Sequence, residues 1–209
     1  NSGADQGGTM RVLVFGDSIT YGAWDCAGGW ADRLKRWAHQ QYVANGTKLQ
    51  VINIGVGGDT RRKILARIEN EIRARHSSSW PFMIVLSLGT NDGRVREGVV
   101  EVPQDEFAEN YRKVVSIAKS FTEKVIIVGL PPLGAPELDF KAMRYSDETT
   151  QAYERETKNI ADDENLPFVD VRPLFVGPDL FAPDRLHPNN HGHEIIYKAV
   201  KTEVEKLLG

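Results

Sequence analysis

Residues 12–24 read "VLVFGDSITYGAW", an apolar run that ends abruptly in Gly16, Asp17 and Ser18. The run is apolar at consecutive positions, the pattern of a strand buried on both faces, and such strands belong to parallel sheets covered by helices. One reading of the Gly-Asp-Ser end is an ordinary turn, because glycine reaches unusual backbone angles and Asp and Ser bond their own backbone. The other makes Ser18 a nucleophile at the carboxyl end of a buried strand, where open α/β sheets carry their chemistry. The rest of the chain distinguishes the two.

Similar runs recur as "LQVINI" at 49–54, "FMIVLSL" at 82–88, "KVIIVGL" at 124–130 and "PFVDV" at 167–171. Between and after them lie amphipathic stretches at 30–43, 60–76, 104–121, 146–165 and 191–207, which read as helices. Asp59 or Thr60, and Ser146 with Thr149, stand where N-terminal caps are expected. Five alternations of strand and helix predict an α/β fold: a five-stranded parallel sheet with helices on both faces, wound by right-handed crossovers. The stretch 131–145, "PPLGAPELDFKAMRY", reads as a surface loop over the functional edge.

The 209 residues suit one domain, 10–209, preceded by "NSGADQGGT", residues 1–9, which read as an expression scar or loose terminus. Met10 as a native start favours the cytoplasm, and removal of a secretory signal leaves the same picture. A net charge of −3 with interspersed signs provides no basic footprint for nucleic acid or an anionic membrane surface. No apolar run reaches the length of a membrane span. The single cysteine, Cys26, forms no intramolecular disulfide and reads as a loop or packing residue.

In a parallel sheet every β-to-α loop emerges at the same edge, so the unusual residues of separate loops can meet. Ser18 follows the first strand, Gly57 and Gly58 the second, Asn91 and Asp92 the third, and Asp184 and His187 the fifth. A serine hydroxyl needs a base, the base an orienting acid, and the developing oxyanion preorganised donors. His187 fits the base and Asp184, three residues earlier, the acid, with Pro188 directing the chain behind them. The Ser18 and Gly58 backbone N–H groups and the Asn91 amide fit the oxyanion donors. Each feature has a plainer reading: Asn91-Asp92 as a turn cap, Gly57-Gly58 as a tight loop, Asp184 as a partner of Arg185. Their joint placement at four different strand ends favours catalysis.

The blocks "GDSIT", "GVGGDT", "GTNDG" and "DRLHPN" resemble, in order, those of the SGNH or GDSL hydrolases. The resemblance spans the domain and implies a three-layer flavodoxin-like fold with strand order 2-1-3-4-5. It also implies Ser18 as nucleophile, Asp184 and His187 completing a triad, and Ser18, Gly58 and Asn91 lining the oxyanion hole. Ile19 stands where the GDSL pattern has leucine, a volume-conserving exchange.

Other classes fit less well. A flavin- or nucleotide-binding protein shares the fold, but Thr60 occupies the third glycine position of GxGxxG and no GxxxxGK[ST] occurs. An aspartyl-phosphate phosphatase lacks its second aspartate, since Ile19 stands there. Metal-dependent hydrolysis draws on His187, His191 and His193 beside Asp184, although their spacing matches no standard zinc pattern. His191 and His193 also read as first-turn helix residues, one partly buried and one facing solvent. The expectation is therefore a cofactor-free serine esterase acting on a small-molecule ester, with short acyl chains or acetylated carbohydrates favoured. Trp24 and Trp30 read either as stacking surfaces for a sugar or acyl group or as packing for the first helix. Arg94 reads as a substrate contact or a solvated surface residue.

Overall fold

The computed structural model describes residues 9–209, so the expected scar or loose terminus at 1–9 lies outside them apart from Thr9. The strands are β1 (Met10–Gly16), β2 (Leu49–Gly55), β3 (Phe82–Ser87), β4 (Val95–Arg96), β5 (Val99–Val100), β6 (Val125–Val128), β7 (Glu137–Phe140), β8 (Met143–Ser146) and β9 (Phe168–Val169). The helices are α1 (Ser18–Tyr21), α2 (Gly29–Asn45), α3 (Arg61–Ala74), α4 (Gln104–Phe121), α5 (Asp147–Asp163) and α6 (Asn190–Leu208).

Strands β2-β1-β3-β6-β9 form one all-parallel sheet, which in the sheet's own count is the order 2-1-3-4-5. The consecutive apolar runs have their cause in its two faces. From β1, Val12 and Val14 enter a core with Trp30, Leu34 and Ala38 of α2 and Ile196, Val200 and Val204 of α6. Leu13 and Phe15 point the other way, to Ile64 and Ile68 of α3, Tyr111 and Val114 of α4 and Ile160 of α5. Each side chain of this kind that leaves water contributes about 1.5–3 kcal/mol, so both layers hold the sheet.

Register sets the functional edge. Gly16 pairs with Gly55 on one side and Ser87 on the other, so β1, β2 and β3 end level. A Cβ on Gly16 would come within 2.3 Å of Ser87 O, and one on Gly55 within 2.3 Å of Tyr21 N. Glycine lets α1 sit directly on the strand ends.

The stretch 131–145 is not an irregular loop. It folds into the β7–β8 hairpin, which joins β4–β5 in a second, antiparallel sheet of order β5-β4-β8-β7. The β7–β8 turn places Lys141 and Ala142 in the left-handed region, at φ 50° and 59°, with neither the glycine nor the asparagine that ordinarily marks such a turn. Strands of two to four residues add no readable periodicity. Thr60 does precede α3, but its side chain makes no capping bond. The Arg61 N–H instead donates to Asp92 Oδ1 at 2.9 Å, from the loop after β3. Ser146 caps α5 as expected, accepting from Thr149 N.

Candidate active site

Asp17 caps α1 by accepting from Ile19 N at 2.9 Å, and this turn raises Ser18 at the sheet edge. Ser18 Oγ lies 2.8 Å from His187 Nε2, and His187 Nδ1 lies 2.8 Å from Asp184 Oδ2. The other carboxylate oxygen, Asp184 Oδ1, accepts the Leu186 and His187 backbone N–H groups at 3.0 Å each. Arg185, at φ 56°, makes the tight turn that folds the acid back beside the imidazole. Burial works to raise the Asp184 carboxyl, but hydrogen bonds from the His187 backbone and ring and from Leu186 outweigh it and hold the group below its ordinary value.

Of the three expected oxyanion donors, the Ser18 and Gly58 backbone N–H groups have no acceptor among the described residues. Gly58 has φ +80°, a conformation that suits glycine. Asn91 is buried, and its Nδ2 donates to Asp59 O at 3.0 Å, one residue from Gly58. Its Oδ1 accepts from the Tyr145 hydroxyl at 3.1 Å and from Arg94 Nη1 at 3.4 Å. Those two donors fix which way the amide faces: its N–H groups turn toward Asp59 O, beside Gly58, and toward Asp17 Oδ2 at 3.5 Å, beside Ser18.

Arg94 is not a solvated surface residue. Only 7 % exposed, it pairs with Glu101 at 3.3 Å while reaching Asn91. Beneath these loops lies a buried ionic cluster. The Arg61 guanidinium is stacked between the Phe107 and Tyr111 rings, 3.5 and 4.0 Å from their centroids, and donates to Thr157 Oγ1 at 2.8 Å. Its Nη1 is 3.9 Å from Asp92 Oδ2. Burial raises Asp92 to about 6 against the opposing pull of Arg61. Burial likewise raises Asp17 to about 7, with the neighbouring charges of Asp92 and Asp59 adding to the shift.

The other histidines do not converge with His187. His191 is exposed on the first turn of α6. His193 is fully buried; its Nδ1 accepts from Trp30 N at 3.3 Å and its Nε2 donates to Ala23 O at 3.1 Å, so neither ring nitrogen is left for another ligand. Among the described residues, no group of three or more His, Cys, Asp or Glu side chains is placed to hold a metal ion. Cys26 is an exposed loop thiol.

The two tryptophans differ. Trp30 is fully buried and packs α2 against the sheet. Trp24 does not pack the first helix: it is 63 % exposed, and its indole N–H donates to Asp184 Oδ2 at 2.8 Å. Phe140, from the hairpin, meets the His187 ring edge-on at 5.7 Å. Trp24, Tyr145 and Phe140 thus touch the expected site residues in ways the sequence motifs do not signal. Tyr145 and Phe140 belong to strands too short to read, and the Trp24 contact spans 160 positions.

The family model for GDSL-like lipases/acylhydrolases matches residues 14–195. An acetylxylan esterase of Geobacillus stearothermophilus is 28% identical, with 95% of each chain covered. An isoamyl acetate-hydrolyzing esterase of Saccharomyces cerevisiae is 29% identical, over 93% of this chain and 86% of its own. The crystal structure of Axe2, an acetylxylan esterase from Geobacillus stearothermophilus, superposes with a TM-score of 0.74 at 25% identity, covering 95% of this chain and 96% of that one. No helix among the described residues is long and apolar enough to cross a membrane.

Proposed function

This chain belongs to the GDSL-like lipase/acylhydrolase family and is a carboxylic ester hydrolase, and we propose that it works through an acyl-enzyme on Ser18 and prefers short acyl groups. The observation that carries this reading is the continuous relay from Ser18 Oγ through His187 to Asp184, with 2.8 Å at both links. Ser18 Oγ attacks the ester carbonyl carbon as His187 Nε2 takes its proton. Asp184 accepts from Nδ1, which holds the ring in the required tautomer and stabilises the imidazolium. When the tetrahedral intermediate collapses, the bond to the alcohol oxygen breaks and His187 returns the proton to it. Water then repeats the sequence on the acyl-enzyme, releasing the acid and restoring Ser18.

The oxyanion would be met by the free N–H groups of Ser18 and Gly58 and by the Asn91 amide. A preorganised set of this kind is worth most where water is excluded, and Asn91 is only 4 % exposed. The acetyl-ester activities named for two relatives support a small acyl group, and an acetylated carbohydrate is the favoured substrate. A long acyl chain would have to bury many methylenes, each worth about 0.8 kcal/mol, in an extended apolar groove. The aromatic surfaces beside His187 are instead single rings, Trp24 and Phe140.

The test is a series of acyl esters of one alcohol, assayed below each micelle concentration, with Ser18→Ala as control. Acetyl and butyryl esters should give higher kcat/KM than palmitoyl, and a folded Ser18→Ala protein should be inactive. Turnover by that variant would overturn the nucleophile, and kcat/KM climbing with chain length would overturn the short-acyl preference.

A further inference from the structure

We propose that Trp24 is a positioning residue for ester hydrolysis: its indole N–H holds Asp184, and through it His187, in line with Ser18. The proposal rests on the reading of His187 as the base.

Trp24 occupies the left-handed region at φ 68°, a conformation that bulky side chains rarely adopt. It is also 63 % exposed, so burial does not explain why it stays there. Its loop is tied down on both sides. On one flank, Ala23 O accepts from His193 Nε2 at 3.1 Å. On the other, Cys26 N donates to Asn190 Oδ1 at 3.1 Å, and Asp25 accepts from Ala27 N at 2.9 Å, Gly29 N at 3.0 Å and Arg33 Nε at 2.7 Å. His193 and Asn190 belong to α6, the helix that begins three residues after His187, so the loop carrying Trp24 and the turn carrying the relay are mounted on one element.

The strained backbone achieves one directed contact. Trp24 Nε1 lies 2.8 Å from Asp184 Oδ2, the same oxygen that accepts from His187 Nδ1, and the indole stands edge-on to the imidazole at 6.2 Å. With the two backbone donors on Oδ1, the carboxylate has both oxygens fixed, and Trp24 is the only side-chain donor besides the base itself among the described residues. A water molecule at this exposed position could donate too, but it would not stop the carboxylate rotating. The other charged or titratable groups near the ring are turned elsewhere. Arg185 Nη1 donates to Gly134 O at 3.0 Å, Lys141 Nζ lies over the Phe140 ring at 5.4 Å, and His193 is engaged on the backbone.

The test uses Trp24→Phe, which keeps a ring and removes the donor, and measures kcat and KM on an acetyl ester together with the rate of Ser18 phosphonylation by a small fluorophosphonate. The phosphonylation rate and kcat should both fall about tenfold as the relay loosens, with KM unchanged. Unchanged kcat and labelling rate in W24F, with Trp24→Ala impaired only in substrate KM, make Trp24 a mere contact surface and overturn the proposal. Absence of Ser18-dependent labelling in the unaltered protein overturns the underlying reading as well, a result distinct from normal labelling by W24F.

Discussion

The Tyr145 hydroxyl donates to Asn91 Oδ1 at 3.1 Å across 54 positions, joining the small antiparallel sheet to the loop after β3. An amide held at its oxygen can present its N–H groups in one direction only, and Arg94 reinforces the same orientation. Tyr145→Phe should therefore lower kcat by about tenfold with little change in KM, since one such hydrogen bond orients the donor without touching the ground-state ester. Steady-state kinetics on an acetyl ester decide this, and an unchanged kcat would show that Arg94 suffices.

Asn91→Ala removes the donor itself. If its N–H meets charge that exists only after attack, kcat should fall about 10²- to 10³-fold while KM changes little. A variant altered chiefly in KM would place Asn91 in ground-state binding.

His187→Ala and His191→Ala separate the relay from a histidine metal site. The first should reduce turnover to near background, and the second should be near normal because His191 is exposed at the start of α6. Chelators should leave the rate unchanged. Loss of activity in EDTA with recovery on added zinc would contradict the relay reading.

Asp92→Ala should destabilise the fold strongly. It removes the acceptor for Arg61 N at the start of α3 and the only carboxylate paired with the fully buried Arg61 guanidinium among the described residues. Leaving one charge of a buried pair uncompensated costs about 3–5 kcal/mol, to be read from denaturant unfolding. A loss below about 1 kcal/mol would mean that the Phe107 and Tyr111 rings and Thr157 suffice to hold Arg61.

Stability should fall as pH rises from 5 to 8. Burial raises Asp17 from 3.8 to about 7 and Asp92 from 3.8 to about 6, and burial beside Asp170 and Asp147 raises Glu154 from 4.5 to about 7 against the pull of Arg172. Over that window the folded state holds protons that the unfolded chain has released. This stabilising contribution is complete below the unfolded values and is lost as pH passes the folded ones. Asp25 and Asp184, both lowered, act in the opposite sense at more acid pH, and His193, lowered from 6.5 by burial, does so at the acid end of the window, one group against the three raised carboxylates. The melting temperature should decline across the window, with a shallower slope in Asp17→Asn.

Much of this protein was legible in its sequence because the information was local. Strands buried on both faces must be apolar at successive positions, so 11–15, 49–54, 82–88 and 124–130 announce a parallel sheet, and a parallel sheet brings its loops to one edge. Ser18, Gly58, Asn91, Asp184 and His187 could thus be assigned to a common rim from their places after the strands. Tertiary structure alone decided what those residues touch. A hydrogen bond between Trp24 and Asp184, or between Tyr145 and Asn91, depends on the relative placement of elements far apart in the chain, and no periodicity encodes it. The same holds for Arg61 and Asp92, where the helix cap comes from another loop although Thr60 stands in the local capping position. The β7–β8 hairpin was hidden for a further reason: Lys141 and Ala142 adopt left-handed conformations that their own side chains do not favour, so the surrounding packing sets that turn.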